Sequence, residues 1–94
     1  MNVKDCILEY LANNYPANFC NNIDFSEPFR NLGIDSIDLF EIVMYVEGEF
    51  DITIEDELID KFKNLNDLIS AANRKMVDEA VTKSQANAFH DAYF

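Results

Sequence analysis

The sequence predicts an all-α fold in which four helices form one small bundle. Apolar residues recur every three to four positions in separate segments, which is the spacing of amphipathic helices. The 94 residues include 2 glycines and 2 prolines, fewer than a β fold with many turns would need. An apolar fraction of 49% is enough for a globular core, so we do not expect a chain that is disordered throughout.

The first helix is predicted from Asn2 to about Asn13, and Pro16 follows shortly after its end. Its apolar residues at helical spacing are Val3, Ile7, Leu8 and Leu11. Residues 15–34 then form a connection that is long for a compact bundle. We expect its apolar side chains to hold it against the core, with a short turn at Ser26 to Arg30. These side chains are Phe19, Ile23, Phe25, Phe29 and Leu32.

The second helix is predicted from about Ser36 to Phe50, after a break at Gly33. On a helical wheel of about 100° per residue, it has two apolar stripes that lie almost opposite each other. The stripe predicted to face the core is Leu39, Ile42, Val43, Val46 and Phe50. The stripe predicted to face solvent is Ile37, Phe40 and Met44, with Glu41 and Glu47 at its edges. Several apolar residues in register on an exposed face are typical of a binding surface.

A short third helix is predicted to begin at Thr53, because its spacing from Asp56 resembles a capping box. Its apolar side would be Ile54, Leu58, Ile59 and Phe62. Asn64 and Asp67 repeat the pattern before a fourth helix with Leu65, Leu68, Ile69 and Ala72 in the core. The composition changes after Asn73. We therefore divide the chain into a four-helix domain, 1–73, and a C-terminal extension, 74–94, that is helical or flexible.

The charge of the chain is strongly one-sided, since 18 acidic residues against 7 basic ones give a net charge of -11. This balance argues against nucleic acid and anionic membranes as partners, because both are bound through Lys and Arg. Residues 35–60 hold ten acids and no base, which predicts a protein partner with a basic surface. The ten are Asp35, Asp38, Glu41, Glu47, Glu49, Asp51, Glu55, Asp56, Glu57 and Asp60.

The remaining features indicate a cytoplasmic protein without a membrane anchor. The N-terminus has no signal-peptide pattern, and no run of about 18 apolar residues could span a bilayer. Cys6 and Cys20 fit neither a metal site nor a disulfide framework, so we interpret them as reduced thiols. His90 lies in the C-terminal extension without companions for metal binding or catalysis, and we interpret it as solvated.

Ser36 stands at the start of the second helix, between Asp35 and Asp38. Serine at such a position usually caps the helix. Asp35 is equally able to cap it, which would leave the Ser36 hydroxyl free and outward. A helix N-terminus tolerates an attached phosphate, whereas the two carboxylates disfavour a phosphate but would attract a cationic modifying enzyme. No histidine or lysine is placed to activate the hydroxyl, so we predict no catalytic role for it.

The stretch "LGIDSIDLFEIVMYVEGEFDITIEDE", residues 32–57, resembles the signature of acyl carrier proteins, in which Asp-Ser-Leu opens the second helix of a four-helix bundle. The likeness runs without a gap from about Ile23 to Ile69 and leaves the C-terminal extension outside. Besides the core stripe of the second helix, the matching positions are Leu32, Gly33, Asp35, Ser36, Glu47, Ile54 and Asp56. The resemblance implies a bundle of acyl-carrier type with a long first loop and a short third helix.

The resemblance also implies a prosthetic group and partners. A phosphopantetheinyl transferase would attach 4′-phosphopantetheine from coenzyme A to Ser36, beside Asp35, and the thiol of this arm would carry acyl groups as thioesters. Acyl-loading ligases, ketosynthases or acyltransferases with basic patches would dock on a set of surface positions. In this chain those positions are Asp35, Ile37, Asp38, Phe40, Glu41, Met44, Glu47, Ile54 and Asp56. The acyl pocket of the family corresponds to Val43, Val46, Ile54, Ile59, Phe62 and Leu68.

We therefore expect a free-standing, monomeric acyl carrier without catalytic activity, serving fatty acid, polyketide or lipid biosynthesis. Several features depart from the family pattern and favour a specialised pathway. They are Ile37, the bulky apolar pair Leu39 and Phe40, Gly48, Glu55 and the extension. Two alternatives stay open: an aminoacyl or peptidyl carrier for nonribosomal synthesis, which the acidic second helix disfavours, and an interaction module without a prosthetic group. A calcium sensor is disfavoured because "DITIEDELIDKF" lacks the glycine and alternating ligands of an EF-hand loop.

Overall fold

The computed structural model describes residues 2–78, and this part of the chain is helical without any β-strand. Its helices are α1 (Val3–Asn14), α2 (Ala17–Asn21), α3 (Phe29–Leu32), α4 (Ser36–Phe50) and α5 (Asp56–Ile59), followed by α6, helical over 65–78. The all-α prediction is confirmed, with α1, α4, α5 and α6 as the four predicted helices. The sequence did not predict α2 and α3, which lie within the long connection.

Side-chain caps fix the starts of α1 and α6. Asn2 accepts a hydrogen bond from the Asp5 N–H at 2.8 Å, and Asn64 accepts one from the Asp67 N–H at 3.0 Å. The second of these caps was predicted. The prediction that Thr53 caps the third helix is wrong, because α5 begins at Asp56 and has no side-chain cap.

The late start of α5 has a physical cause in the segment before it. The Ile54 N–H donates to the Glu47 carboxylate at 2.8 Å, across the connection from α4. Glu55, at the N-cap position, has an extended backbone with φ -66° and ψ 144°. The connection is therefore held extended up to Glu55, whose carbonyl accepts the first helical hydrogen bonds, from the Leu58 and Ile59 N–H groups at 3.0 and 3.2 Å.

The core lies between α1, α4 and α6, with contributions from the connecting segments. The side chains within it that are almost fully excluded from solvent are Val3, Cys6, Ile7, Leu11, Ile42, Val43, Val46, Leu65 and Leu68. The predicted core stripe of α4 is buried as far as Val46, while Phe50 at the end of the helix is half-buried and packs against the core. Hydrophobic burial along these faces is the main source of stability for helices of this length.

The long connection is tied to the start of α6 by backbone hydrogen bonds. The Phe29 N–H donates to the Lys63 carbonyl at 3.3 Å, and the Asn66 N–H donates to the Phe25 carbonyl at 3.2 Å. Phe25 is buried, as the prediction that apolar residues pin this segment requires. The connection thus reaches α4 along a fixed path, which sets the position of the residues just before Ser36.

Residues 74–78, the first part of the predicted extension, continue α6 without a break. Lys75 forms an ion pair with Glu55, and Met76 packs against the core. The rest of the extension, 79–94, including His90, lies outside the described residues. Between residues 2 and 78, every helix is too short or too polar to cross a bilayer.

Candidate functional site

The first turn of α4 is closed by a reciprocal pair of aspartates. Asp35, at the N-cap, accepts a hydrogen bond from the Asp38 N–H at 2.8 Å, and Asp38 accepts one from the Asp35 N–H at 3.4 Å. This arrangement is a capping box, and it satisfies two backbone donors that would otherwise be unpaired. Asp35 therefore does the capping that serine often does at this position.

Ser36 is the first residue of α4, and its side chain is exposed. Its hydroxyl makes no hydrogen bond to any group in residues 2–78. The Asp35–Asp38 capping box explains why, since it occupies the role that the hydroxyl could have had. An alcohol that is exposed and uncommitted at a helix N-terminus fits a phosphodiester link, because the helix dipole favours negative charge there.

A groove of about 240 Å³ opens beside Ser36. Its walls are mostly apolar, and two carboxylates join them. The lining residues are Phe29, Ile34, Asp35, Ser36, Leu39, Phe40, Ile59, Asp60 and Phe62. The groove therefore offers apolar surface within immediate reach of whatever is attached to the Ser36 oxygen.

The predicted acyl-pocket residues separate into two groups in the structure. Ile59 and Phe62 line the groove beside Ser36. The other four, Val43, Val46, Ile54 and Leu68, are buried in the core and are not among its lining residues. Sequence reasoning did not assign Phe29, Ile34 or Leu39 to the pocket. Their apolar character and their closeness in sequence to Ser36 were the available signal.

The exposed apolar stripe of α4 is smaller than predicted. Ile37 and Met44 are 67% and 65% exposed. Phe40 was predicted on the outside as well, but it is half-buried, packs against the core and lines the groove. A helical wheel assumes that a helix has one buried face. In this structure α4 has α1 on one side and the groove on another, and Phe40 lies on the side of the groove.

The predicted docking acids have different environments. Asp35 and Asp38 form the capping box, while Glu41 and Asp56 are exposed. Glu47 is half-buried, because its carboxylate holds the Ile54 N–H. Ile54, also assigned to docking by resemblance, is 3% exposed and belongs to the core instead of the surface.

Two tyrosines from the first helix and its C-terminal side border this acidic surface. The Tyr10 hydroxyl donates to the Glu41 carboxylate at 3.2 Å. Burial, this hydrogen bond and the charge of Glu41 raise the pKa of Tyr10. Burial raises the pKa of Tyr15 as well, with Asp38 as the next cause. The acids in the first turns of α4 therefore help to raise the pKa values of two tyrosines on the α1 side.

Comparison with known proteins gives a consistent result for this region. The family model described as a phosphopantetheine attachment site matches residues 20–72. An acyl carrier protein homolog of Mycoplasma pneumoniae is 34% identical over 84 residues, which are 86% of this chain and 100% of that protein. An acyl carrier protein of Bdellovibrio bacteriovorus is 38% identical over 73 residues, covering 78% of this chain and 88% of that protein.

A solved structure shows the same fold at comparable sequence similarity. It is the crystal structure of an acyl carrier protein from Thermotoga maritima, which superposes with a TM-score of 0.71 and 32% identity. The superposition covers 81% of this chain and 88% of that one. The matched range of the family model includes Ser36, the capping box and every residue that lines the groove.

Proposed function

This chain belongs to the acyl carrier protein family, whose members are carriers and whose prosthetic group is 4′-phosphopantetheine, and from that premise we propose that the arm is attached to Ser36. When bound, the arm supplies a terminal thiol that holds acyl groups as thioesters. The single observation that supports Ser36 is its exposed hydroxyl, left without a capping role by the Asp35–Asp38 box.

The other serines in the matched range are less suited to carry the arm. Residues 20–72 contain Ser26, Ser36 and Ser70. The Ser26 hydroxyl donates to Asp24 at 2.6 Å, within a tight turn. Ser70 is exposed in the middle part of α6, far from any helix start. Ser84 lies outside both the matched range and the described residues.

Loading of Ser36 is a phosphoryl-group transfer that a phosphopantetheinyl transferase performs on this chain. The Ser36 oxygen bonds to the phosphorus next to the pantetheine in coenzyme A. The bond between that phosphorus and the departing adenosine 3′,5′-bisphosphate breaks, and the hydroxyl proton passes to a base on the transferase. Because no histidine or lysine among residues 2–78 lines the groove beside Ser36, and Asp35 and Asp38 are engaged in the capping box, the chain has to bring the hydroxyl to the base of the transferase.

The partners we propose are enzymes with basic surface patches that dock on the α4 side of the protein. They are the transferase and, after loading, acyl-loading ligases, ketosynthases or acyltransferases of fatty acid, polyketide or lipid biosynthesis. Exposed acids around Ser36, together with Ile37 and Met44, support this assignment, because charge steers encounter and apolar side chains add contact area. We propose a specialised pathway and a monomer acting in the cytoplasm.

The test is loading of the purified protein with coenzyme A and a phosphopantetheinyl transferase, followed by intact-mass measurement. We expect wild type to gain one phosphopantetheine unit, Ser36→Ala to gain none, and Ser70→Ala to behave like wild type. Helical circular dichroism should be the same for all three, since the Asp35–Asp38 box keeps its two hydrogen bonds without the hydroxyl. Loading of Ser36→Ala, or no loading of wild type, would refute the proposal.

A further inference from the structure

Tyr10 lies on α1, outside the α4 face that carries the proposed docking acids, and yet it is bonded to one of them. Its hydroxyl donates to Glu41 Oε2 at 3.2 Å, and the two residues are 31 positions apart in the sequence. Glu41 is exposed, whereas Tyr10 is half-buried. The contact therefore joins a surface carboxylate to a side chain held at the interface between α1 and α4.

The Tyr10 ring is held in place by its neighbour on α4. Its centroid lies 5.3 Å from that of Tyr45, with an interplanar angle of 47°. Aromatic rings at such a separation attract each other beyond the area that they bury. Tyr45 follows Glu41 by one helical turn, so the ring contact and the hydrogen bond fix Tyr10 at two points along α4. A fixed phenol oxygen in turn limits the rotamers open to Glu41.

This restriction matters for binding a cation. A free surface glutamate loses rotamer freedom when it pairs with a partner's lysine or arginine, and that loss opposes association. With Oε2 bonded to Tyr10, part of the ordering already exists in the unbound protein. Oε1 accepts no hydrogen bond from residues 2–78 and keeps its capacity for a partner donor.

The Tyr10 phenol is a hydrogen-bond donor at neutral pH, and acidic residues surround it. Its ordinary pKa of 10.0 already keeps the phenol protonated at neutral pH, and burial together with the hydrogen bond to Glu41 raises that pKa further. Tyr15 lies on the same edge, within the field of Asp38 and Glu41. The phenols of Tyr10, on α1, and Tyr15, just after it, are thus both within the field of the α4 acids, and Tyr10 is hydrogen-bonded to one of them.

We propose that Tyr10 is a positioning residue that orients Glu41 toward a lysine or arginine on the enzyme docked against α4. This inference rests on the proposed function, because it requires that Glu41 takes part in docking. It extends the recognition surface from α4 to α1, a helix to which the sequence analysis gave no docking role.

The test is the steady-state kinetics of loading by a phosphopantetheinyl transferase with coenzyme A, measured on four variants. These are Tyr10→Phe, the matched control Tyr45→Phe, Glu41→Gln and the double variant Tyr10→Phe/Glu41→Gln. Loss of one hydrogen bond predicts a KM raised about two- to fivefold for Tyr10→Phe, with kcat unchanged. Tyr45→Phe should match wild type, since it keeps the ring and its hydroxyl bonds to nothing in residues 2–78.

The double variant separates positioning from a general effect on structure. If Tyr10 acts through the charge of Glu41, adding Tyr10→Phe to Glu41→Gln should raise the KM little further, and the Tyr10→Phe defect should shrink as salt is added. Additive effects, or a Tyr10→Phe variant identical to Tyr45→Phe, would overturn the positioning role while leaving docking intact. A Glu41→Gln variant with the KM of wild type would instead refute docking through Glu41 itself.

Discussion

The Glu47 carboxylate has a structural role, although the resemblance to acyl carrier proteins assigns its position to partner docking. Its Oε2 accepts the Ile54 N–H at 2.8 Å, and both groups are partly buried. An N–H in such a place costs free energy when it loses its acceptor. Glu47 therefore stabilises the path from α4 to α5, and charge reversal here would disturb the fold as well as any partner contact.

We expect Glu47→Ala to lower the free energy of unfolding by about 1–2 kcal/mol, because the Ile54 N–H is left without its acceptor. Glu49→Ala is the matched control: it removes an exposed acid two residues along α4, and its effect should stay within about 0.5 kcal/mol. Urea denaturation followed by helical circular dichroism measures both. Equal stabilities would show that the Glu47 hydrogen bond contributes nothing measurable.

Individual residues were predictable where the deciding partner is close in sequence. Asp35 was one of two candidate caps beside Ser36, and its bond with Asp38, three positions later, decides between them, while the exposure of Ile37 and Met44 follows from helical periodicity. Thr53 looked equally convincing as a cap, but the bond from Ile54 to Glu47, seven residues back, decides the backbone there. Phe40 was misplaced for a related reason, since the groove it enters is built from α3, α5 and the loops beside them.

At the scale of the element, the glycine before α4 and the glycine within α4 have different conformational roles. Gly33 ends α3 in the left-handed region, with φ 73°, and its N–H donates to the Arg30 carbonyl at 3.3 Å. Gly48 lies inside α4, where an added Cβ would meet nothing within 4 Å. The first position requires glycine for its backbone conformation. At Gly48, the structure shows neither a backbone conformation nor a close contact that requires glycine.

Substitution by alanine should therefore change stability in opposite directions at the two positions. Gly48→Ala should raise the free energy of unfolding by about 0.5–1 kcal/mol, because alanine favours the helix and no contact is disturbed. Gly33→Ala should lower it by about 1 kcal/mol, because its Cβ is strained at positive φ. Thermal and urea denaturation of each single variant would measure the shifts. A destabilised Gly48→Ala protein would contradict the open space seen beside α4.

The elements themselves were predicted best where local signals agree. α4 was predicted at its observed bounds, because the capping aspartate, the apolar period and the glycine before it all point to the same residues. The short helices α2 and α3 were missed, since each has four or five residues and no side-chain cap. α3 is held by a contact distant in sequence, the hydrogen bond from the Phe29 N–H to the Lys63 carbonyl, and α2 packs Phe19 and Cys20 against the core.

At the scale of the whole molecule, the stability of the fold depends on alkaline pH through one buried thiol and two half-buried phenols, which ionise only at high pH. Burial, with help from Glu49 and Glu9, raises the pKa of the Cys6 thiol to about 11, from an ordinary value of 9.0. Burial also raises the pKa values of Tyr10 and Tyr15. In each case the unfolded chain releases its proton at a lower pH than the native protein does. Deprotonation therefore favours unfolding.

The protonated Cys6 thiol should therefore stabilise the folded protein, and this stabilisation should disappear at alkaline pH. The contribution of Cys6 is fully present below pH 9.0 and is lost as pH rises toward about 11, an amount on the order of 2 kcal/mol. Urea denaturation below and within this pH window should show the fall. Cys6→Ala should reduce this fall in unfolding free energy by the contribution of the Cys6 thiol. Cys20→Ala, which removes a half-buried thiol, should leave most of the fall in place. If both variants lost as much stability as wild type in this pH window, the loss would come from the tyrosines, and protonation of Cys6 would contribute nothing measurable to the stability of the fold.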